Sequence, residues 1–215
     1  MKVAVVKDVL KANDQVATEN RAAFQAAGVN VVNMMSSPGA GKTSLILATL
    51  DRLPAGIRLG VIEGDIASSI DAETIGARGV PVVQVNTGGG CHLNAPMIRS
   101  ALEHLDLPSL DLLIIENVGN LVCPASKVLG AHRAVVVSSV PEGADKPYKY
   151  PGIFAAADAV VLNKIDLQEA LEYDGAFHER GIRMVNSHAP ILPVSCRTGQ
   201  GVEGWLEWLL APLKE

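Results

Sequence analysis

The fold class can be predicted outward from the sequence Ser36-Ser37-Pro38-Gly39-Ala40-Gly41-Lys42-Thr43. It follows an apolar run at 29–35, which is predicted to be a β-strand, and it opens a helical stretch at 42–52. The two glycines allow the backbone to curl so that its N–H groups face an anion, and the N-terminus of the following helix adds positive potential. This order of strand, glycine loop and helix predicts a phosphate-binding loop.

The loop departs at one position from the usual pattern, Gly-x4-Gly-Lys-Ser/Thr, because Ser36 stands where the first glycine is expected. We expect Lys42 to reach the β- and γ-phosphates of a nucleotide and the Thr43 hydroxyl to bind Mg²⁺. The competing interpretation is an ordinary glycine-rich turn between a strand and a helix. The residues predicted to bind the nucleotide here are Ser37, Pro38, Gly39, Ala40, Gly41, Lys42, Thr43 and Ser44.

Outward from this loop, apolar runs alternate with helical stretches. Strands are predicted at 29–35, 57–63, 80–86, 110–116, 134–139, 159–163 and 191–194, and helices at 8–26, 42–52, 70–78, 95–104, 167–179 and 202–210. Such alternation gives right-handed βαβ units, so the predicted fold class is α/β: a doubly wound, mostly parallel sheet flanked by helices, as in P-loop nucleoside-triphosphatases. We expect one domain spanning residues 1–215, on which residues 1–28 pack as an N-terminal helix. The predicted apolar stripe of that helix is Val9, Leu10, Val16, Ala23 and Phe24.

The composition limits the classes of protein to consider. Of the 215 residues, 48% are hydrophobic and 19% are charged, which rules out bulk disorder. The formal net charge of −5 argues against a broad nucleic-acid surface, and no uninterrupted apolar stretch is long enough to span a membrane. The cysteines are an odd, sparse set of three and form no disulfide framework, so a cytoplasmic protein is expected.

A second motif, Asn163-Lys164-Ile165-Asp166, follows the predicted strand at 159–163. It resembles the guanine-recognition motif of GTPases, in which the aspartate accepts hydrogen bonds from guanine N1–H and from the exocyclic amine. Adenine lacks this pair of donors, so the resemblance implies that Asp166 selects guanine, Asn163 supports the base and Lys164 covers the ring or sugar. Ser195 and Cys196 resemble the loop whose backbone contacts the guanine oxygen. The competing interpretations are ATP as the nucleotide and a solvated ion pair between Lys164 and Asp166.

Two carboxylates at predicted strand ends are candidate Mg²⁺ ligands. Asp65 ends the run Glu63-Gly64-Asp65, and Glu116 stands where GTPases often carry the aspartate of Asp-x-x-Gly. With Lys42, they are the residues that we expect to take part in catalysis, and Thr43 completes the predicted Mg²⁺ ligands. Alternatively, either carboxylate caps a helix or accepts a hydrogen bond from a loop N–H.

Cys91 and His92 follow three glycines after the third predicted strand, and Cys123 lies after the fourth. In a parallel sheet, neighbouring strand ends can bring these three residues together, and thiolates with an imidazole suit Zn²⁺, Ni²⁺ or copper. Three ligands are fewer than a closed tetrahedral site needs, and two chains meeting across a two-fold axis could supply the rest. The alternative is that the cysteines are small core residues.

Taken together, these motifs resemble the HypB family of hydrogenase nickel-incorporation GTPases, which are P-loop GTPases of the SIMIBI type. The resemblance runs from about residue 22 to the C-terminus. It includes the phosphate loop with serine first, Glu-Gly-Asp, the glycine-rich Cys91-His92, Glu-Asn-Val-Gly-Asn with Cys123, the loop at 142–147 and Asn-Lys-Ile-Asp. Some members carry an N-terminal nickel motif rich in cysteine or histidine, and this chain has neither.

The resemblance implies a GTP-hydrolysing metallochaperone with GTP, Mg²⁺ and Ni²⁺ or Zn²⁺ as cofactors. Its Cys91, His92 and Cys123 would form a metal site at the interface of a homodimer promoted by nucleotide and metal. The implied partners are a nickel-handling chaperone and the large subunit of [NiFe]-hydrogenase, with no nucleic acid and no membrane. The alternatives are a urease-type nickel GTPase, whose Cys-Pro-His motif is absent here, a regulatory G protein without a functional metal site, and an ATP-dependent kinase or ligase.

Overall fold

The structure, a computed structural model, describes residues 8–124 and 128–213, with side chains from residue 11 onward. Within these ranges the chain forms a parallel sheet with helices packed on it. The strands are β1 (Asn30–Ser36), β2 (Leu59–Asp65), β3 (Val82–Asn86), β4 (Leu112–Glu116), β5 (Arg133–Ser139), β6 (Ala159–Asn163) and β7 (Ile191–Pro193). The helices are α1 (Asp8–Ala27), α2 (Lys42–Leu50), α3 (Ile70–Gly76), α4 (Ala95–Leu102), α5 (Lys146–Lys149), α6 (Pro151–Ala155), α7 (Gly175–Val185) and α8 (Val202–Leu210).

The strand order is β3-β2-β4-β1-β5-β6-β7, which puts β1 at the centre of the described sheet. Successive residues of β1 point to opposite faces. Val32 and Met34 pack with α2 and α8, Val31 packs with α1 and α4, and Met35 packs with α6 and α7. Burial on both faces explains why the inner strands are continuous apolar runs rather than alternating ones. The predicted doubly wound, parallel sheet flanked by helices is confirmed.

The carboxyl ends of the parallel strands meet along one edge of the sheet. Ser36 ends β1, Asp65 ends β2, Glu116 ends β4 and Asn163 ends β6. Ligands of open α/β sheets bind outside this edge, at the point where the strand order reverses. The topology therefore brings the phosphate loop, the carboxylates and the second motif to one edge.

One helix prediction is wrong. The predicted helix at 167–179 is a 3₁₀ turn at Ile165–Leu167 followed by irregular chain, and α7 begins only at Gly175. The cause is a local cap, because the side chain of Asp174 accepts a hydrogen bond from the backbone N–H of Phe177 at 2.8 Å and so fixes the start of the helix. The short helices α5 and α6 were not predicted, and each begins at a proline-containing first turn.

The N-terminal helix α1 spans nearly the predicted range and packs against α4. Gly28 ends it with a left-handed φ of 70°. Its buried face holds Ala17, Asn20 and Phe24, whereas Val16 and Ala23 of the predicted stripe are only half-buried. The side chains of Val9 and Leu10 lie outside the described residues. Within the described part of the chain, none of the helices combines the length and apolar composition needed to cross a membrane.

Candidate nucleotide and metal site

The phosphate loop curls through two glycines. Gly39 and Gly41 have φ values of 75° and 99°, in the left-handed region that side chains with a Cβ avoid. Gly41 is also the N-cap of α2, and a methyl group on it would collide with Nδ2 of Asn163. The local backbone therefore requires glycine at this position, and it leaves the first N–H groups of α2 directed at the sheet edge.

Ser36 is compatible with this loop because its hydroxyl is used inside it. The side chain is fully buried; its Oγ donates to the carbonyl of Ser37 at 2.6 Å and accepts from Nζ of Lys42 at 3.1 Å. The serine that breaks the usual pattern thus helps to hold the lysine over the loop. A glycine there would leave the lysine without this partner.

Glu116 lies against the first turn of α2. Its Oε1 accepts a hydrogen bond from Oγ1 of Thr43 at 3.0 Å and lies 3.7 Å from Nζ of Lys42. Burial raises the pKa of Glu116, an effect that Lys42 and Thr43 oppose. The structure therefore brings three of the predicted site residues, Lys42, Thr43 and Glu116, into direct contact.

Two further carboxylates join Glu116. Glu63 pairs with Glu116 in the register of β2 and β4, and one oxygen each of Glu63, Asp71 and Glu116 lies within 4.8 Å of the other two. Burial, followed by the nearby charges of Glu116 and Asp65, raises the pKa of Glu63 to about 8. Among the described residues, Oε2 of Glu63 and Oε2 of Glu116 are buried without a hydrogen-bond partner. Buried acceptors of this kind fit a cation or a proton.

Asp65, the other predicted Mg²⁺ ligand, is oriented differently. Its Oδ1 accepts hydrogen bonds from the backbone N–H groups of Ala67 and Ser68 at 2.9 and 2.7 Å, and these bonds lower its pKa. The structure does not place it in the cluster of Glu63, Asp71 and Glu116. Sequence reasoning missed Glu63, although its position two residues before Asp65 puts both on the same face of the strand.

The second motif contacts the phosphate loop directly. Asn163 donates from Nδ2 to the carbonyl of Ala40 at 3.0 Å, and Nζ of Lys164 donates to the carbonyl of Gly39 at 2.7 Å. Oδ1 of Asn163 accepts from the backbone N–H of Lys164 at 2.7 Å and of Cys196 at 3.4 Å. Asn163 therefore links the phosphate loop to both halves of the predicted base-binding site.

A pocket of about 430 Å³ opens beside this motif. Asp166 lines it, with Oδ1 accepting from Oγ of Ser195 at 2.7 Å and Oδ2 lying 4.0 Å from the guanidinium of Arg197. Burial raises the pKa of the Cys196 thiol to about 11, so this cysteine is a neutral thiol in the loop. The pocket is lined by Ser44, Leu47, Ala48, Asp51, Arg52, Asn163, Lys164, Asp166, Leu167, Cys196 and Arg197.

The predicted thiol and imidazole ligands also come together. Sγ of Cys91 lies 2.8 Å from Sγ of Cys123 and 3.6 Å from Nδ1 of His92, and the three ligand atoms lie within 4.8 Å of one another. All three residues are half-buried and both cysteines are free. Soft donors at this separation, open to solvent on one side, can hold a transition-metal ion.

Asn120 connects this donor cluster to the phosphate loop. Its side chain donates to the carbonyl of Cys91 at 3.2 Å and accepts from the backbone N–H of Val122 at 2.8 Å and of Cys123 at 3.5 Å. Its own N–H donates to the carbonyl of Ser36 at 2.6 Å. The sequence assigns this asparagine no role, because its bonds to Ser36 and Cys91 reach segments that are distant in the chain.

Comparison with known protein families gives a match over most of the chain. The family model described as "CobW/HypB/UreG, nucleotide-binding domain" matches residues 30–193, which include the phosphate loop, the donor cluster and the Asn-Lys-Ile-Asp motif. Hydrogenase maturation factor HypB of Escherichia coli (strain K12) is 49% identical over 202 residues, covering 94% of this chain and 70% of that protein. The probable hydrogenase maturation factor HypB of Methanocaldococcus jannaschii is 41% identical over 211 residues, covering 98% of this chain and 96% of that protein.

Solved structures agree with this match. The crystal structure of HypB from Helicobacter pylori in complex with nickel has a TM-score of 0.90 and 38% identity, covering 94% of this chain and 95% of that one. HypB from Archaeoglobus fulgidus has a TM-score of 0.89 and 38% identity, covering 95% of this chain and 100% of that one. A LAO/AO transport system kinase, 16% identical with a TM-score of 0.56, shares the fold alone. On the sequence identity and on the structural match together, this chain belongs to the CobW/HypB/UreG family of P-loop nucleotide-binding proteins, and within it to HypB.

Proposed function

We propose that this chain is a GTP-hydrolysing metallochaperone that binds nickel at Cys91, His92 and Cys123 and delivers it for the maturation of [NiFe]-hydrogenase. The observation that carries the proposal is the convergence of these three donors within 4.8 Å, on two segments that Asn120 ties to the phosphate loop. The names of the relatives, which are hydrogenase maturation factors, and the nickel complex of the Helicobacter pylori protein support the choice of metal and of recipient.

Guanine fits the pocket beside Asp166. Ser195 already occupies Oδ1 of Asp166, so Oδ2 is the oxygen left to accept from guanine N1–H and the exocyclic amine. Adenine would leave Oδ2 without these two donors, which is costly in a partly enclosed site. Asn163 and Lys164 hold the base-binding and phosphate-binding segments together, and Asn163 also accepts from the backbone N–H of Cys196, the residue that we propose to contact the guanine oxygen.

The phosphates would lie over residues 37–44, where Lys42 neutralises the β- and γ-phosphates. Thr43 and Glu116 would hold a Mg²⁺ ion, with Asp65 as the third ligand predicted from the sequence and Glu63 and Asp71 as further carboxylates beside it. The buried, unpartnered oxygens of Glu63 and Glu116 in the described chain support a cation here. When bound, Mg²⁺ would neutralise the charge on the phosphoryl group being transferred. Lys42, Asp65 and Glu116 are the groups that we assign to hydrolysis.

Nucleotide state would reach the metal site through the segment after β4. Gly119 packs so closely on Pro38 that a methyl group there would come within 2.9 Å of its Cα, and Asn120 bonds both the loop and the two cysteine-bearing segments. A change in the phosphate loop on hydrolysis would therefore shift Cys91 relative to Cys123 and change the affinity for nickel.

Two chains are needed to complete the metal coordination. One chain offers three donors, and a two-fold pair of chains offers enough for a closed site, so a nucleotide-promoted homodimer is part of the proposal. Thiolates bind Ni²⁺ and Zn²⁺ only after deprotonation, which means that metal affinity should fall in acid. A nickel-handling chaperone and the hydrogenase large subunit are the proposed partners, in the cytosol, where thiols stay reduced.

The direct test is a titration of the full chain with Ni²⁺, followed by a metal-competing dye, in the wild type and in Cys91→Ala, Cys123→Ala and Cys196→Ala. We expect the first two substitutions to remove the tight site and the third to leave it, because Cys196 is a neutral thiol in the base loop. A parallel titration with Zn²⁺ shows which of the two metals the chain binds with the higher affinity. Wild-type nickel affinity in Cys91→Ala and Cys123→Ala would reject the proposal.

A further inference from the structure

The buried face of α1 carries a pair of asparagines where an apolar stripe is expected. Asn13, Ala17, Asn20 and Phe24 recur at the spacing of one helix face, and Asn20 is fully buried. A buried asparagine stabilises the folded protein less through apolar burial than a leucine would at the same position. Its contribution to stability therefore depends on its hydrogen bonds. The partners of these two amides are therefore informative.

Both asparagines bridge the same two segments. Asn13 accepts from the backbone N–H of Ala95 and donates to the carbonyl of Val128, each at 3.0 Å. Asn20 donates from Nδ2 to the carbonyl of Ala95 at 2.9 Å and to the carbonyl of Leu129 at 3.1 Å. One segment follows Cys91 and His92 closely in the chain, and the other follows Cys123.

The backbone at Gly130 also lies close against α1. Gly130 has a φ of 94°, and a methyl group there would meet the carbonyl of Ala17 and the backbone N–H of Arg21. Asn120 already ties the two segments at Cys91 and Cys123, and Leu93 is fully buried in the same apolar cluster as Phe24 of α1. Asn120 thus ties Cys91 to Cys123, and α1 ties Ala95 to Val128 and Leu129.

We propose that α1 is a clamp that sets the separation of Cys91 and His92 from Cys123, with Asn13 and Asn20 as positioning residues of the metal site. The inference depends on the proposed function only for the identity of the metal. The separation of the two thiols can be measured when no metal is bound. The clamp acts through backbone groups of both segments, so it fixes donor geometry and does not itself ligate. Removing groups that orient metal ligands typically lowers affinity about tenfold to a hundredfold, and a clamp one step further away should have a smaller effect, roughly threefold to tenfold.

The test uses the full chain with Asn13→Ala, Asn13→Asp and Asn20→Leu, and with Thr18→Ala as the matched control on the exposed face of α1, where Oγ1 bonds only within the helix. Asn13→Asp keeps the shape and the acceptor for Ala95 but loses the donor to Val128. The first readout is the rate at which a reagent that fluoresces only on bridging two neighbouring thiols cross-links the reduced protein. The second readout is the affinity for Ni²⁺ together with the position of the thiolate-to-nickel absorption band. The third is the affinity for GDP together with the midpoint of unfolding.

We expect both Asn13 variants to bridge thiols about threefold more slowly and to bind Ni²⁺ roughly threefold to tenfold more weakly, with a shifted absorption band. GDP affinity should stay within about twofold of wild type, because the bonds of these two asparagines reach Ala95, Val128 and Leu129 and not the phosphate loop. Asn20→Leu should show the same effects more strongly. If this variant does not fold, the variants of the half-buried Asn13 decide the outcome. Unchanged bridging and unchanged nickel affinity in Asn13→Ala and Asn13→Asp would overturn the clamp. Slower bridging in a protein whose wild type shows no Cys91-dependent nickel binding would instead support the clamp and reject the proposed cargo.

Discussion

Gly41 is required both by its backbone conformation and by the space around it, whereas Gly39 is required only by its backbone conformation. Both have left-handed φ values, but a methyl group on Gly41 would also collide with Asn163, whereas one on Gly39 would meet nothing within 4 Å. Gly39→Ala should therefore cost about 1–2 kcal/mol of strain, and Gly41→Ala should cost more and displace Asn163 from the phosphate loop. Titration of both variants with a fluorescent GDP analogue checks this. Equal losses of affinity in the two variants would contradict the role given to the Asn163 contact.

Asp166 is the residue on which we propose that guanine selection depends. Asp166→Asn exchanges a carboxylate acceptor for an amide whose nitrogen cannot accept from N1–H, so affinity for GDP should fall about tenfold to a hundredfold. Xanthosine diphosphate, which presents a carbonyl in place of the exocyclic amine, should gain affinity in the variant. Glu169→Gln is the control, because that residue is exposed and lies outside the lining of the pocket. Competition of GDP, ADP and xanthosine diphosphate measures the outcome, and ADP outcompeting GDP in the wild type would contradict the assignment.

At the residue scale, motif chemistry predicts contacts well where the motif is contiguous. Lys42 and Thr43 meet at Glu116, Asn163 bonds the phosphate loop, and Cys91, His92 and Cys123 converge as the strand order allows. Glu63 and Asp71 were missed because a carboxylate inside a strand or helix has no local pattern that marks it as facing another carboxylate. Asn13 and Asn20 were missed for a similar reason, since their partners lie more than seventy residues away in sequence.

At the element scale, the segment after β4 joins the two halves of the site, and Asn120 is its point of contact. Asn120→Ala removes the side-chain bonds to Cys91 and Cys123 but keeps the backbone N–H that donates to Ser36. We expect the ratio of Ni²⁺ affinities with GDP and with a non-hydrolysable GTP analogue, about fivefold or more in the wild type, to fall toward one. Asn120→Asp keeps the acceptor and loses the donor to Cys91. Its ratio of Ni²⁺ affinities should lie between that of the wild type and that of Asn120→Ala.

GDP affinity itself is the control for this prediction and should change by less than about twofold, since the contact with the phosphate loop is made by the backbone. Nickel titrations in each nucleotide provide the measurement. A full wild-type ratio in Asn120→Ala would show that coupling, if present, travels by another route.

The boundaries of elements were predictable where burial alone decides them. Strands such as β4 and β6 are apolar runs buried on both faces, and their predicted ends at Glu116 and Asn163 agree with the structure. The helix predicted at 167–179 failed because a side-chain cap at Asp174, rather than hydrophobic spacing, sets where α7 begins. The face of α1 was also only partly predictable, since the buried Asn20 interrupts the apolar stripe.

For the whole molecule, a buried histidine makes stability depend on pH. His178 on α7 is 1% exposed and packs against Phe154 and Tyr173, and burial lowers its pKa. Since the folded state resists protonation, the unfolded state binds more protons once the pH falls below the ordinary histidine pKa of about 6.5, and stability is lost as the pH falls further. The slope due to one such group is at most about 1.4 kcal/mol per pH unit.

His178→Phe should therefore reduce the loss of unfolding free energy between pH 7.5 and pH 5, which urea unfolding at a series of pH values measures. His132, whose pKa burial also lowers, keeps part of the slope in the variant. His188→Gln is the matched control, because that side chain is exposed. A pH slope in His178→Phe equal to that of the wild type would contradict the assignment.

The parallel sheet places the pocket beside Asp166, the phosphate loop and the donor cluster along one edge, and we propose that they act together in a pair of chains. The most direct test is native mass spectrometry of the full protein with Ni²⁺ and guanine nucleotides, which counts chains, nucleotides and metal in one particle. With the GTP analogue and Ni²⁺ we predict two chains, two guanine nucleotides and bound nickel, and in Cys91→Ala the same nucleotides without the nickel. Particles that retain nickel in Cys91→Ala, or single chains that bind nickel equally with GDP and with the analogue, would contradict the account.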